Sequence, residues 1–278
     1  MKWIREPAVA GSFYPSSPEK LRAAVSNMLN RATELPGPPP CALIVPHAGY
    51  EYSGRVAAQA YAQIKSNSET IRRVVLLGPS HRIAFRGLAL PGVELFRGPF
   101  GLIPLDADAF SLLDHPVVKV RNRAHRMEHS LEVQLPFLQL ALGQFSLVPL
   151  VAGVCNPEDV ADVIERLWDP PGTLLVVSSD LSHYLDYPEA TERDNRTMTA
   201  IELLDDSRIG HTDACGCEAV KGLLVAARRL GLRPRTLPVW NSGDTGGDRR
   251  DVGGYGAWMF LVVETCEQAA RPMHYGYS

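Results

Sequence analysis

The stretch that decides the fold is Cys41-Ala42-Leu43-Ile44-Val45-Pro46-His47-Ala48-Gly49-Tyr50, an apolar run that passes directly into a polar loop with a histidine. A continuous apolar run ending in proline is typical of a strand buried on both faces of a sheet. Two later segments, 74–81 and 173–183, repeat this pattern and end at His81 and His183. The sequence therefore predicts buried strands at 41–46, 74–78 and 173–178, each followed by a histidine loop.

Segments with helical spacing of their apolar residues alternate with these strands. We predict a helix from Ser17, with Pro18 at its first position, and helical structure over 131–142 that Pro136 bends or divides. Gly231 is expected to end a helix at 213–230. The other predicted helices are 53–65, 157–168 and 188–204, the other strands are 145–154, 237–241 and 255–263, and 96–105 is expected to be irregular. This alternation predicts an α/β fold with a central, mostly parallel mixed sheet flanked by helices, and with antiparallel strands near the C-terminus.

The composition excludes several classes of protein. The chain has 278 residues, and 28 Lys+Arg against 31 Asp+Glu leave a net charge of −3, so neither a nucleic-acid partner nor an acidic membrane surface is expected. No apolar run approaches the ~18–20 residues of a membrane span, and the N-terminal residues lack the apolar segment of a signal peptide. Five cysteines are too few, and odd in number, for a disulfide framework. We expect a single α/β domain over residues 1–278, located in the cytoplasm.

The polar side chains that follow the predicted strands are expected to converge. In an open α/β sheet the carboxyl ends of parallel strands meet at one edge, where ligands bind. The residues placed there are His47, His81, Asp180 and His183, while His129 lies in a separate loop. A lone loop histidine is more often a solvated or hydrogen-bonded side chain, but three placed in the same way favour a shared site. The remaining histidines, His115, His125, His211 and His274, are expected in loops or at the surface.

A cysteine adds a further element to this site. Cys215 lies near the expected start of the helix 213–230, where the helix dipole would lower the pKa of the thiol and favour thiolate. The alternative is a small buried residue that packs a tight turn, and Cys217 is assigned to packing. Two histidines and a thiolate form an open three-ligand metal site, compatible with iron, copper or zinc. Asp180 and His183 would handle protons beside the metal.

Six short motifs follow one another along nearly the whole chain. They are Arg5-Glu6-Pro7-Ala8-Val9-Ala10-Gly11-Ser12-Phe13-Tyr14-Pro15, Pro46-His47-Ala48-Gly49-Tyr50, Gly78-Pro79-Ser80-His81, Glu128-His129-Ser130-Leu131-Glu132 with Leu135-Pro136, Ser179-Asp180-Leu181-Ser182-His183, and Ala214-Cys215-Gly216. In this order they resemble the Memo family, also known as AmmeMemoRadiSam system protein B. The resemblance implies a fold similar to that of the class III extradiol ring-cleaving dioxygenases, which are non-haem iron enzymes.

The same resemblance implies roles for individual residues. His47 and His81 take the places of the two histidine ligands of the dioxygenases, and Cys215 takes the place of their carboxylate ligand. Because a thiolate replaces the carboxylate, ring cleavage of a catechol does not follow.

The pocket and the partners are also implied by the resemblance. His183 falls at the position of an acid/base histidine, and Asp180 and His129 line the same pocket. The family name further implies an association with an AMMECR-type protein and a radical SAM protein.

The leading hypothesis is a metal-dependent oxidoreductase with one metal ion, iron as the first choice, and a small-molecule or peptide substrate. One alternative is a non-catalytic peptide- or phosphopeptide-binding module on the same fold. A second is a copper-binding redox protein, since two histidines and a cysteine also bind copper. A hydrolytic zinc enzyme ranks last. The sequence contains no phosphate-binding or dinucleotide-binding glycine motif of the usual kind.

Overall fold

Strands and helices alternate along the chain in the computed structural model, which describes residues 3–244 and 248–262. The strands are β1 (Ile4–Arg5), β2 (Ala42–Val45), β3 (Arg73–Pro79), β4 (Leu88–Leu90), β5 (Leu95–Gly98), β6 (Gly101–Pro104), β7 (Val118–Val120), β8 (Ser146–Ala152), β9 (Thr173–Ser178), β10 (Leu232–Thr236), β11 (Trp240–Asn241), β12 (Gly254–Tyr255) and β13 (Trp258–Val262). The α-helices are α1 (Pro18–Arg31), α2 (Tyr50–Ala62), α3 (Asn122–Arg126), α4 (Leu135–Leu142), α5 (Pro157–Arg166), α6 (Tyr187–Glu202) and α7 (Cys217–Leu230). Short 3₁₀ helices cover Lys65–Asn67, Ala107–Asp114, Glu132–Gln134, Asp206–Arg208 and Ser242–Asp244.

The central sheet has eight strands in the order β10-β13-β2-β9-β3-β8-β4-β7. The middle strands β2, β9, β3 and β8 are all parallel. On one side β13 and β10 are added antiparallel, as expected for the C-terminal strands. On the other side β4 is antiparallel to β8, and β7 is parallel to β4. The predicted fold class is confirmed, and the three strands that carry histidine loops, β2, β9 and β3, are parallel neighbours.

Successive side chains of a strand point to opposite faces of the sheet. Helices pack on both faces, so the sheet separates two cores. Leu43 and Val45 of β2 belong to a core that includes residues of α1, α2 and α4, whereas Ala42 and Ile44 belong to a second core with α5 and α7. None of the helices in the described part of the chain is both long and apolar enough to cross a membrane.

Helix boundaries agree best with the prediction where a cap or a stop residue marks them. α1 begins at Pro18, and the side chain of Ser17 accepts a hydrogen bond from the N–H of Lys20. Gly231 ends α7 in the left-handed conformation, at φ 67°. The segment 131–142 is divided into a 3₁₀ turn and α4, as expected from its proline. In contrast, α2 begins three residues before the predicted start at 53, and α7 begins four residues after the predicted start at 213.

Several strands differ from the prediction. The segment 96–105, expected to be irregular, contains the hairpin of β5 and β6, to which β1 is added. The sequence does not predict β10, because its two arginines and one proline are features of an edge strand rather than of a buried one. Only β11 forms within 237–241, and it pairs with β12. The predicted strand 255–263 is divided between β12 and β13, and its last residue lies outside the described residues.

A close contact between α5 and α7 gives a first prediction. A Cβ atom at Gly222 of α7 would overlap the Cβ and Cγ1 atoms of Val160 on α5. We expect Gly222→Ala to lower the free energy of unfolding by roughly 1–2 kcal/mol, because the strain of overpacking exceeds the gain in helix propensity. Urea unfolding measures the change. Gly172→Ala is the control, since its Cβ would meet the carbonyl oxygen of Asp169 at 3.5 Å and Oδ2 of Asp169 at 3.7 Å, which are ordinary contacts. A Gly222→Ala protein as stable as wild type would contradict the expected overlap.

Candidate metal centre

The loops that follow β2 and β3 lie at the same edge of the sheet, on either side of β9, and bring their histidines together. The ring centroids of His47 and His81 are 5.2 Å apart. His129, from the loop before α4, completes a group of three imidazoles, with its centroid 5.4 Å from that of His47 and 4.5 Å from that of His81. The predicted convergence of these histidines is therefore present in the structure.

Hydrogen bonds determine which nitrogen of the buried His47 carries its proton. Nδ1 of His47 lies 2.8 Å from Oγ of Ser178, and that hydroxyl donates its one proton to the carbonyl oxygen of Ser130 at 2.7 Å. Since the hydroxyl has no second proton, Nδ1 of His47 must be the donor to Ser178. Burial lowers the pKa of His47 to about 4, so the ring is neutral at pH 7. Its Nε2 lone pair is therefore available for a metal.

Glu128 holds the second histidine in the same tautomer. Its Oε1 lies 2.8 Å from Nδ1 of His81, and its Oε2 accepts a hydrogen bond from the N–H of His81 at 2.7 Å. Burial opposes ionisation of Glu128, but the hydrogen bond and charge of His81 and backbone N–H groups lower its pKa to about 2. The carboxylate thus accepts the Nδ1 proton and leaves Nε2 of His81 open. Carboxylate–histidine pairs of this kind orient metal-binding imidazoles.

Cys215 lies against His47, with 3.3 Å between its Sγ and Nε2 of His47. Its sulfur also accepts a hydrogen bond from the N–H of Asp180 at 3.2 Å. The expectation of a lowered thiol pKa is wrong, because Cys215 precedes the N-cap Gly216 and does not lie in the first turn of α7. Burial and the charge of Asp180 instead raise the pKa of the thiol. A metal that binds Cys215 must therefore displace the thiol proton.

Asp180 lies between His47 and His183. Its Oδ1 accepts a hydrogen bond from the N–H of His47 at 2.6 Å, and its Oδ2 lies 3.7 Å from Nε2 of His183. Burial opposes ionisation of Asp180, but the charges of His47 and His183 lower its pKa to about 2. Burial also lowers the pKa of His183, yet the carboxylate of Asp180 outweighs this and raises the pKa overall. A partly exposed histidine with a raised pKa is suited to take up a proton near neutral pH.

The candidate ligand atoms form two overlapping groups in which all atoms lie within 4.8 Å of one another. One group is His47, His81 and His129, and the other is His47, Asp180 and Cys215. The predicted ligands His47, His81 and Cys215 are thus divided between the two groups, with His47 in both. The ligand set itself stays a prediction.

The surroundings of the site include residues that sequence reasoning did not identify. The ring of Phe13 lies 4.6 Å from that of His129. A cavity of about 230 Å³ opens beside His183 and is also lined by Tyr52 and Tyr255. Ser242, Val252 and Gly253, from the connection between β11 and β12, line it as well, so this connection borders the site.

The remaining histidines depart in part from the expectation. His115 and His125 are buried, at 5% and 2% exposed, rather than at the surface. His211 is exposed as expected, and His274 lies outside the described residues. Cys217 has a polar partner besides its packing contacts, since its Sγ lies 3.0 Å from Nδ1 of His211.

Glu132 fastens the N-terminal residues 5–14, here called the N-terminal strap, to the loop that carries His129. The buried Glu132 carboxylate pairs with the buried guanidinium of Arg5. It also accepts hydrogen bonds from the N–H of Ala8 at 2.7 Å and from the hydroxyl of Tyr14 at 2.6 Å. The first and fourth sequence motifs are therefore parts of one buried network.

Comparison with known proteins identifies the family of this chain. A family model described as Memo-like protein matches residues 5–259, which include every residue of the candidate site. The chain belongs to the Memo family. The resemblance inferred from the six motifs is thereby confirmed.

Relatives within the Memo family match over nearly their whole length. The MEMO1 family proteins of Aquifex aeolicus, Methanosarcina barkeri and Sulfolobus acidocaldarius are 33%, 35% and 35% identical to this chain. The matches cover 93%, 94% and 91% of this chain and 99%, 100% and 97% of the relatives. The names of these relatives state neither a metal nor a reaction.

Proposed function

We propose that this Memo-family protein is a metal-dependent oxidoreductase of the dioxygenase-like class, with iron bound by His47, His81 and Cys215. The observation that carries the proposal is that both imidazoles are held in the same tautomer by hydrogen bonds at Nδ1. Each has Nδ1 held as a donor, to Ser178 or to Glu128, and each keeps Nε2 free. Two imidazoles with free Nε2 atoms and a thiol form a donor set that iron, copper and zinc accept.

Each of the protein groups around the metal has a distinct task in this proposal. The bound metal would supply the one-electron and oxygen chemistry that side chains lack. The imidazole of His183 takes a proton from the substrate, and the carboxylate of Asp180, 3.7 Å from Nε2 of His183, stabilises the resulting imidazolium. His129 stacks on His81 at an interplanar angle of 29° and so packs against that ligand.

Substrate reaches this site from the side where the histidines are accessible. The side chains of His81 and His183 are 29% and 34% exposed, whereas that of His47 is 1% exposed. The cavity beside His183 has room for a small molecule or for one side chain of a peptide. An association with AMMECR-type and radical SAM proteins, and a cytoplasmic location, are part of the same proposal and rest on family resemblance and sequence alone.

The decisive experiment is elemental analysis of protein purified without oxygen. We expect close to one iron per chain in the wild type and in Cys41→Ser, a control that removes a buried thiol hydrogen-bonded to the carbonyl of Phe260. His47→Ala and Cys215→Ser are expected to lose the iron while remaining folded by circular dichroism. Oxygen consumption is then measured with a panel of phenols and peptides.

The outcomes separate the proposal from its alternatives. If the protein contains copper in place of iron, and prefers Cu(I) when Cu(I) and Fe(II) compete, it is a copper redox protein. Two imidazoles and a thiol are also a suitable ligand set for copper. Absence of any metal after anaerobic addition of Fe(II) or Cu(I) would overturn the proposal and favour a peptide-binding module.

A further inference from the structure

A second group of metal-ligating side chains lies at the start of α7, apart from the centre described above. Its members are His211, Cys217 and Glu218, and their ligand atoms lie within 4.8 Å of one another. Sγ of Cys217 is 3.0 Å from Nδ1 of His211, and Nε2 of His211 is 3.5 Å from Oε1 of Glu218. A thiol, an imidazole and a carboxylate are the three ligand types that Zn²⁺ prefers in proteins.

The chain holds these side chains together by a short turn. Oδ2 of Asp213 accepts a hydrogen bond from the N–H of Gly210 at 2.8 Å, and this closes the loop that carries His211. Cys217 and Glu218 are the first two residues of α7. The exposed imidazole of His211 need only turn so that one of its two nitrogens faces the same ion as Cys217 and Glu218.

The charge around the group also favours a cation. The charged side chains that act on Cys217 are Glu218 and Asp213, which are negative, and Lys221, which is positive. The side chain of His211 is 71% exposed and that of Glu218 is 16% exposed, while Cys217 is buried. A metal ion that approaches from solvent would therefore meet the imidazole of His211 first and then the buried thiol of Cys217.

A cavity of about 200 Å³ adjoins this group. It is lined by His211 and Glu218, and also by Cys215 of the first centre and by Ser80. The cavity provides space for water at the open position of a three-ligand site.

We propose that His211, Cys217 and Glu218 form a second metal site of this chain, which binds Zn²⁺ or a similar divalent ion with one position left to water. Binding replaces the thiol proton of Cys217, which is released to solvent, and no oxidation or reduction is involved. The proposal is independent of the proposed function, because none of its three ligands belongs to the first centre.

The test is titration of metal-free protein with Zn²⁺ against a chromogenic chelator. Wild type is expected to bind two equivalents. His211→Ala, which changes an exposed side chain and so should preserve the fold, is expected to bind one, as is Cys217→Ser. The double variant His47→Ala/Cys215→Ser, which removes the first centre, is also expected to bind one equivalent.

Co²⁺ provides a spectroscopic check on the ligands. Co²⁺ in the His47→Ala/Cys215→Ser background is expected to show thiolate-to-cobalt charge transfer, which disappears when Cys217→Ser is added and persists when Cys41→Ser is added. A second equivalent retained in His211→Ala, or no Zn²⁺ bound in the His47→Ala/Cys215→Ser background, would overturn the second site. A protein that binds Zn²⁺ at the second site but not at the first centre would contradict the proposed function and leave the second site supported.

Discussion

Glu132→Ala is expected to lower the free energy of unfolding by about 3–5 kcal/mol, because it leaves a buried guanidinium without its counter-ion. Arg5 is 6% exposed, and Glu132 is fully buried. The substitution also removes the acceptor for the N–H groups of Ala8 and Val9 and for the hydroxyl of Tyr14. Unpaired buried donors add to the loss. The N-terminal strap should therefore detach from the body of the protein.

Urea unfolding and limited proteolysis measure these two effects. We expect a lower unfolding midpoint and new cleavage within residues 5–14. Glu189→Ala is the matched control, since its pair with Arg193 lies at the surface, where ion pairs contribute little. A Glu132→Ala protein that unfolds at the wild-type urea concentration would show that the buried network does not hold the strap.

Glu128→Gln is expected to weaken metal binding by roughly 10- to 100-fold, as removal of a carboxylate behind a metal-binding histidine commonly does. Glu128 accepts the Nδ1 proton of His81 and also accepts hydrogen bonds from the N–H groups of His81, His129 and Ser130. A neutral amide keeps the size of the side chain but loses the charge that orients the imidazole.

Competition with a chelator of known affinity measures this change in metal-ion affinity. Glu69→Gln, at an exposed position, is the control for loss of a negative charge. The unfolding free energy of the metal-free variant is measured in parallel, so that a folding defect is distinguished from a weakened site. An affinity equal to that of wild type in a folded Glu128→Gln protein would contradict the positioning role of this carboxylate.

The sequence predicts the histidine edge of the sheet because the relevant signals are local. Each strand of β2, β3 and β9 is a short apolar run, and each histidine follows within a few residues. Parallel pairing then brings His47 and His81 together without further information. The helix with a proline after its cap, α1, is predicted for the same local reason.

The parts that the sequence does not predict depend on distant contacts or on burial. Glu132 meets Arg5 across 127 residues, and Glu128 meets His81 across 47. No periodicity or spacing identifies such partners. A helix start near Cys215 predicts a lowered thiol pKa, but α7 begins at Cys217, two residues after Cys215, and burial determines the direction of the shift.

The N-terminal strap also affects the order in which contacts can form while the chain is being synthesised. Ribosomes add roughly 5–20 residues per second, so Arg5 leaves the ribosome several seconds before Glu132, which is 127 residues later. β13, which pairs with β2, is made later still. Until Glu132 follows, the strap carries an unpaired cation, and until β13 follows, β2 lacks its neighbour on one side. The proposed metal centre is therefore expected to form only after β13 has been synthesised.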